Sequence, residues 1–336
     1  MKLACRSLSL LCLLLVLGGV SCAKSGGNAS AAADDDAADD DDDNDDNNDN
    51  DDDNDDDAAC WTDLPVGEKA VVAEGFSGTE GIGFSSTGEL FVGATTGVAH
   101  VHPDGTWEMI AKVTHAVGLA FGPDDVMYVC DFGASSLPGI DDGAMWRLDM
   151  DGNLTLLARG IDNPNFVAYT PWDTLLVSDN FTATIYEVTL DGKVSHWIDG
   201  PLAPNGMVFT ADWRSLYVAG TVPITSPVYR VDLTAAGVAT GFTTIAHLPA
   251  AALPDGAGLD EKGGLYIMEN FLGQIVRIDL ADGSQTVVGS GMESPASIAF
   301  GRGANYDPCS IYVTETWGPK VWRISLGVHG APLLAQ

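Results

Sequence analysis

Six stretches of this chain repeat one pattern, and that repeat limits the fold more than any other feature. Each begins with small residues, runs through an apolar strand, turns, and continues into a second apolar strand. They are TEGIGFSSTGELFVGAT, AVGLAFGPDDVMYVCDF, PNFVAYTPWDTLLVSDN, PNGMVFTADWRSLYVAGT, PDGAGLDEKGGLYIMEN and PASIAFGRGANYDPCSIYVTET. A third strand follows each one, as in GVAHVHPDG, GAMWRLDMDG and KVWRISLGV, and a fourth follows in several, such as VSHWI after Asp191-Gly192. The Asp-Gly pairs are tight-turn signals between strands. A repeat of about 35–50 residues with about four strands predicts an all-β, six-bladed β-propeller with antiparallel blades. A β-sandwich would not need six copies of one motif. The stretch VGEKAVVAEG (66–75) precedes the first complete repeat, and the last repeat lacks a clear fourth strand. Residues 66–75 are therefore predicted to pair into the sixth blade and close the ring.

The repeat lets the chain be aligned with itself. The position just before the small residue of the first strand reads Glu80, Val117, Asn165, Asn205, Asp255 and Ala296. In a propeller it starts the innermost strand, so its six copies converge at one end of the central channel. Two carboxylates and two carboxamides meeting there would repel or go unsatisfied without a partner. A hard divalent cation with oxygen ligands resolves this. The ligand charge of −2 suits Ca2+, with Mg2+ or Mn2+ as alternatives, and Zn2+ is disfavoured because no His or Cys joins the set. Taken singly, Asn165 and Asn205 could cap turns and Glu80 and Asp255 could be solvated. Four oxygen-bearing residues at one aligned position point to a metal.

The segments TEGIGF, NPNFV, APNGMVF and LPDGAGLDEKGGLYI resemble the EGP, PND, PNG and PDG signatures of the senescence-marker-protein/gluconolactonase (regucalcin-like) family. The resemblance spans residues 66–328. It implies a catalytic divalent metal held by Glu80, Asn165, Asn205 and Asp255, the same four that the self-alignment selects. It also implies that Asp255 is the general base or nucleophile in hydrolysis of a lactone or related ester. There are departures. Ile82 replaces the proline of EGP, Phe166 stands where PND has aspartate, and Asn163 occupies the place of an arginine in the sugar-lactonase members. The loops FGASSLPGIDDGAMW and GTVPITSPVY are expected to cover the same channel mouth. They are mostly neutral and small, which favours a modestly apolar substrate.

Other residues carry a plainer reading beside a functional one. Asp131, Asp179, Glu269 and Glu315 end the second strands, where they either hold loops or face the substrate. His115, two residues before Val117, is a turn residue or an acid–base group at the mouth. His100 and His102 flank Val101 in a third strand and are expected to face solvent, and no histidines are spaced like zinc ligands. Trp146, Trp317 and Trp322 are expected to pack between blades.

Ahead of the repeats, residues 1–22 have the layout of a secretory signal peptide: Lys2 and Arg6, the run LSLLCLLLVLGGV, then small residues. GGVSC resembles a bacterial lipobox, although Gly19 stands where leucine is usual. Cys22 is thus expected to carry a lipid anchor to a membrane, with simple cleavage near Ala23 and a periplasmic or secreted product as the alternative. Within 23–59, the run at 34–57 contains 17 aspartates in 24 residues. It has no glycine for the sharp turn and no closing glutamate of a helical calcium loop, so it reads as an extended acidic tether. Residues 60–336 are the propeller.

The net charge is −33 overall, and from Cys60 onward 31 acids still oppose 12 bases. Such a domain would repel nucleic acid. Of its three cysteines, Cys60 and Cys309 could join the start of the fold to the last repeat, and Cys130 sits in an apolar strand as a buried thiol. Two functions fit the sequence: a metal-dependent hydrolase of lactones or esters, or a non-catalytic binding propeller at the cell surface with a structural metal.

Overall fold

The computed structural model describes residues 59–135 and 138–332. The expected signal peptide (1–22) and the whole acidic run (34–57) lie outside them. Alternating apolar residues fold into strands because one period-2 face can be buried between neighbouring sheets. Blade 1 contains β2 (Thr79–Phe84), β3 (Leu90–Ala94), β4 (Gly97–Val101) and β5 (Trp107–Ala111). Blade 2 contains β6 (Ala116–Phe121), β7 (Met127–Asp131), β8 (Ala144–Leu148) and β9 (Leu154–Ala158). Blade 3 contains β10 (Pro164–Tyr169), β11 (Thr174–Asp179), β12 (Thr184–Thr189) and β13 (Val194–Asp199). Blade 4 contains β14 (Pro204–Phe209), β15 (Ser215–Gly220), β16 (Pro227–Leu233) and β17 (Ala239–His247). Blade 5 contains β18 (Pro254–Leu259), β19 (Gly264–Glu269), β20 (Gln274–Asp279) and β21 (Gln285–Ser290).

Blade 6 is assembled from both ends of the propeller. It takes β22 (Pro295–Phe300), β23 (Ser310–Glu315) and β24 (Lys320–Ser325) from the end and β1 (Lys69–Glu74) from the start. β1 runs antiparallel to β24, with Lys69 opposite Ile324, so the predicted closure by 66–75 is present. Two further devices hold this seam. Cys60 is disulfide-bonded to Cys309. Arg323, on β24, grips Asp63 with both terminal nitrogens (2.8 and 2.9 Å) and Asp307 at 2.9 Å. Cys130 is a buried free thiol.

The Asp-Gly turns at Gly105, Gly152, Gly192 and Gly283 each join a third strand to a fourth, and each glycine has φ between +75° and +88°. That conformation is open to glycine at little cost. The core lies between blades rather than at the axis. In one seam Leu90, Val92 and Val101 of blade 1 meet Tyr306 and Tyr312 of blade 6. Trp146 and Trp322 pack in neighbouring seams as expected. At the end of the channel where the innermost strands finish, a largely apolar cavity of about 490 Å3 is lined by Phe84, Phe121, Phe209 and Phe300 among others.

Candidate metal centre

Every innermost strand begins in the same way. Its first residue pairs with the last residue of the second strand, and the register then slips. The pairing jumps between Thr79 and Ile82, Ala116 and Gly118, Pro164 and Val167, Pro204 and Met207, Pro254 and Ala257, and Pro295 and Ile298. The second residue of the strand lies in each of these slips. A bulge frees a residue from the ladder and re-aims its side chain, a common device beside functional sites. The six residues so placed are Glu80, Val117, Asn165, Asn205, Asp255 and Ala296. Local backbone geometry thus reproduces the column found by aligning the sequence with itself.

Asn165, Asn205 and Asp255 are buried, and the Glu80 side chain is only 15% exposed. Asn270 Nδ2 donates to Asp255 Oδ2 at 2.9 Å and lies 3.1 Å from Thr316 Oγ1. Asn205 Nδ2 donates to Thr221 Oγ1 at 3.0 Å, and that hydroxyl donates to the Pro254 carbonyl at 2.6 Å. The Thr314 hydroxyl of blade 6 donates to the Glu80 carbonyl. Burial pushes the Asp255 carboxyl up to about 7, against hydrogen bonds from Asn270 and Asn205. Burial and the Asp255 charge push Glu80 well above its ordinary range.

These groups fit a cation. With its amide nitrogen committed to Thr221, Asn205 keeps Oδ1 buried and without a hydrogen-bond partner. An unpaired buried acceptor beside two desolvated carboxylates is costly unless positive charge is supplied. The donor set is all oxygen, as a hard divalent ion requires.

Around this ring the second-strand carboxylates divide. Asp131 accepts from the backbone N–H groups of His115 and Gly133 and from Trp146 Nε1, all at 3.1 Å. Glu315 Oε1 accepts from the Glu293 N–H at 2.7 Å. These two hold loops. Asp179 and Glu269 each keep one oxygen, Oδ2 and Oε1, without a partner, and burial lifts Asp179 to about 6. Asn163 is fully buried with neither side-chain polar atom hydrogen-bonded. His115 reaches the ring: its Nε2 is 3.9 Å from Glu80 Oε2, and burial lowers its pKa against the pull of Asp131.

Sequence reasoning missed Thr221 and Asn270, which orient the ring. Both immediately follow the last residue of a second strand, as do Thr95, Asn180 and Thr316. A second aligned column would have shown them, since five of its six members are polar and Phe132 is the sixth.

Three comparisons bear on this geometry. Residues 173–316 match the family described as the SMP-30/gluconolactonase/LRE-like region. That stretch includes Asn205 and Asp255 but neither Glu80 nor Asn165. The pentonolactonase XacC of Haloferax volcanii is 30% identical over 192 residues, which is 55% of this chain. The chain spans 64% of the length of that relative. A calcium-binding protein, regucalcin, from Agrobacterium tumefaciens superposes with a TM-score of 0.63 at 19% identity, covering 80% of this chain and 96% of that one. A gluconolactonase from Xanthomonas campestris gives 0.63 at 19%, covering 78% and 89%. At these identities the two structures speak for the fold alone.

Proposed function

We propose that this chain is a divalent-cation-dependent hydrolase of lactones or related small esters, since residues 173–316 match the SMP-30/gluconolactonase/LRE-like region and sit in a complete six-bladed propeller. Glu80, Asn165, Asn205 and Asp255 hold the cation, and Ca2+ is the ion that their charge and hardness favour. The observation that carries the reading is the unpaired Asn205 Oδ1 beside the two buried carboxylates.

When bound, the cation supplies Lewis-acid polarisation of the scissile carbonyl and offsets the carboxylate charges. The remaining work falls to the chain. Asp255 takes a proton from the attacking water or attacks directly. Asn270 fixes the Asp255 carboxylate through Oδ2. Thr221 holds the Asn205 amide nitrogen, and the amide oxygen is left without a protein partner. His115, within 3.9 Å of Glu80, is placed to pass a proton at the rim.

The relatives' names, pentonolactonase and gluconolactonase, support lactones as the substrate class. Asn163 offers no positive charge where an arginine would attract an anionic group. Phe132 and Phe181, with ring centroids 5.8 Å apart, lie near the rim. A neutral, modestly apolar lactone fits these walls. A non-catalytic binding propeller is favoured only by the departures at Ile82 and Phe166. A panel of lactones and aryl esters, assayed with and without chelator, separates the two. Chelator-sensitive turnover abolished by Asp255→Asn supports the hydrolase. A tightly bound cation with no turnover on any substrate supports the binder.

We further propose that the protein is exported and held at a membrane through Cys22, with the aspartate run as spacer. That reading comes from the sequence alone, and palmitate labelling of wild type against Cys22→Ala tests it.

A further inference from the structure

We propose a second cation site of different chemistry on the outer strands of blade 1, where His100, His102 and Glu108 hold a borderline divalent transition ion such as Zn2+. One ligand atom from each of the three residues lies within 4.8 Å of the others. The His100 side chain is 18% exposed and that of His102 37%, so of the two only His102 faces solvent substantially. His100 and its neighbour two residues on share one face of the chain. Glu108, on β5, stands directly opposite His100 in the sheet. The grouping escapes a reading of sequence spacing because the carboxylate arrives from the next strand.

The ligands are held in place. The His100 ring stacks on Phe91 with centroids 4.7 Å apart and planes at 16°. The His102 N–H donates to the Thr106 carbonyl at 2.8 Å, closing the tight turn that brings Glu108 alongside. Glu89 Oε1 lies 3.8 Å from His100 Nε2, and Glu108 Oε1 lies 3.8 Å from His102 Nε2. A tetrahedral site needs a fourth ligand, which water supplies or Glu89 reaches by a side-chain rotation from its place beside His100.

Two exposed His–Glu ion pairs are the plain alternative, and one observation weighs against them. The two imidazoles are 4.5 Å apart, so protonating both would place like charges together. Two neutral imidazoles with two carboxylates carry −2, the charge that a divalent ion neutralises. Nitrogen donors select Zn2+, Co2+ or Cu2+ over Ca2+, so this site is chemically separable from the channel ring and does not rest on the proposed hydrolase activity.

The test uses the full chain in excess Ca2+, which occupies oxygen-only sites, titrated with Zn2+ and separately with Co2+. One equivalent of Zn2+ is expected to shift the imidazole resonances of His100 and His102 alone among the six histidines. Co2+ is expected to give the strong visible absorption of a low-coordinate, nitrogen-bearing site. In His102→Ala the Zn2+ affinity falls at least tenfold, and in His100→Ala/His102→Ala the Co2+ band disappears while Ca2+ stoichiometry is unchanged. Wild-type imidazole resonances that ignore one equivalent of Zn2+ would overturn the proposal. So would a Co2+ band that survives in the double variant. The resonance arm needs no variant and stands even if a substituted chain fails to fold.

Discussion

Gly206 lies so close to the backbone of Asp255 that no side chain fits between them. A β-carbon added at Gly206 would collide with the Asp255 carbonyl oxygen and stand 2.6 Å from Ala257 N. The relationship repeats around the channel, since Gly81 leans on the Val117 carbonyl, Gly118 on that of Asn165 and Gly256 on that of Ala296. Each glycine follows a ring residue and abuts the ring residue of the next blade. The ring is therefore positioned by contact from blade to blade.

Gly206→Ala is accordingly expected to move Asp255 and destabilise the fold by about 1–3 kcal/mol, the usual range for overpacking. Cation affinity and turnover should fall with it. Gly241→Ala is the control, because a β-carbon there meets nothing within 4 Å. Thermal unfolding and cation titration of both variants check this. Equal behaviour of the two would show that the close approach does not set the ring.

A similar argument applies to the groups behind the ring. Asn270 donates to Asp255 from outside the ligand set, and such partners typically contribute about 10–100-fold to metal affinity or activity. Asn270→Leu should lower cation affinity within that range. Asp255→Asn should remove roughly 10²–10⁴ of turnover as the loss of a general base. Calorimetric cation titration with steady-state hydrolysis on the same preparations separates the effects. If Asn270→Leu leaves cation affinity unchanged, the hydrogen bond does not tune the site.

The architecture was readable because a propeller writes its period into the chain, and Glu80, Asn165, Asn205 and Asp255 were readable because that period aligns them. What escaped did so for different reasons. Thr221 and Asn270 stand in a second aligned column one position past the second strand, but their role lies in hydrogen bonds to the ring that residue identity there does not reveal. The His100–His102–Glu108 group is confined to one blade and joins two strands. Arg323, on β24, and Asp307, in the loop before β23, meet within the last blade, and nothing in either local sequence announces that pairing.

That last pair carries a stability prediction. Asp307 is buried, which alone would raise its pKa. Hydrogen bonds from Ser310, the Trp61 and Cys309 N–H groups and Arg323 outweigh burial and hold it below its ordinary range. A depressed folded-state pKa means that the stabilisation is fully present above the unfolded carboxylate pKa. It is lost as pH falls through the folded value, so the effect belongs to acid conditions below the ordinary carboxylate range. Arg323→Met strands the Asp307 charge and is expected to cost about 3–5 kcal/mol near neutrality. Asp307→Asn should unfold with less dependence on acid than wild type. Denaturant unfolding at neutral and acidic pH decides this, and identical acid slopes would contradict it.

The disulfide acts on the same seam by another route. Cys60 and Cys309 are 249 positions apart, so the link constrains nearly the whole domain in the unfolded chain. Loss of such a cross-link commonly costs about 2–4 kcal/mol. Cys60→Ser/Cys309→Ser should lower the unfolding midpoint and leave hydrolysis unchanged at temperatures where it stays folded. A loss of activity without a loss of stability would place the disulfide in the site instead.

The aspartate run permits a sharper separation of two kinds of cation binding. Deleting residues 34–57 removes 17 of the 48 acidic side chains and takes the formal net charge from −33 to −16. Polyanions gather counter-ions by charge density, an effect that salt screens over a Debye length of about 8 Å at physiological ionic strength. The proposed channel ring would bind through directed oxygens in a buried site, where screening is weak. Ca2+ titration of the full chain at low salt should therefore show a tight class and a broad weak class. Physiological salt should suppress the weak class, and the deletion should abolish it. The tight class should survive both with its affinity changed by less than about threefold, the small residue that long-range charge leaves after screening. If the tight class disappears with residues 34–57, the specific cation is held by the run and not by Glu80, Asn165, Asn205 and Asp255.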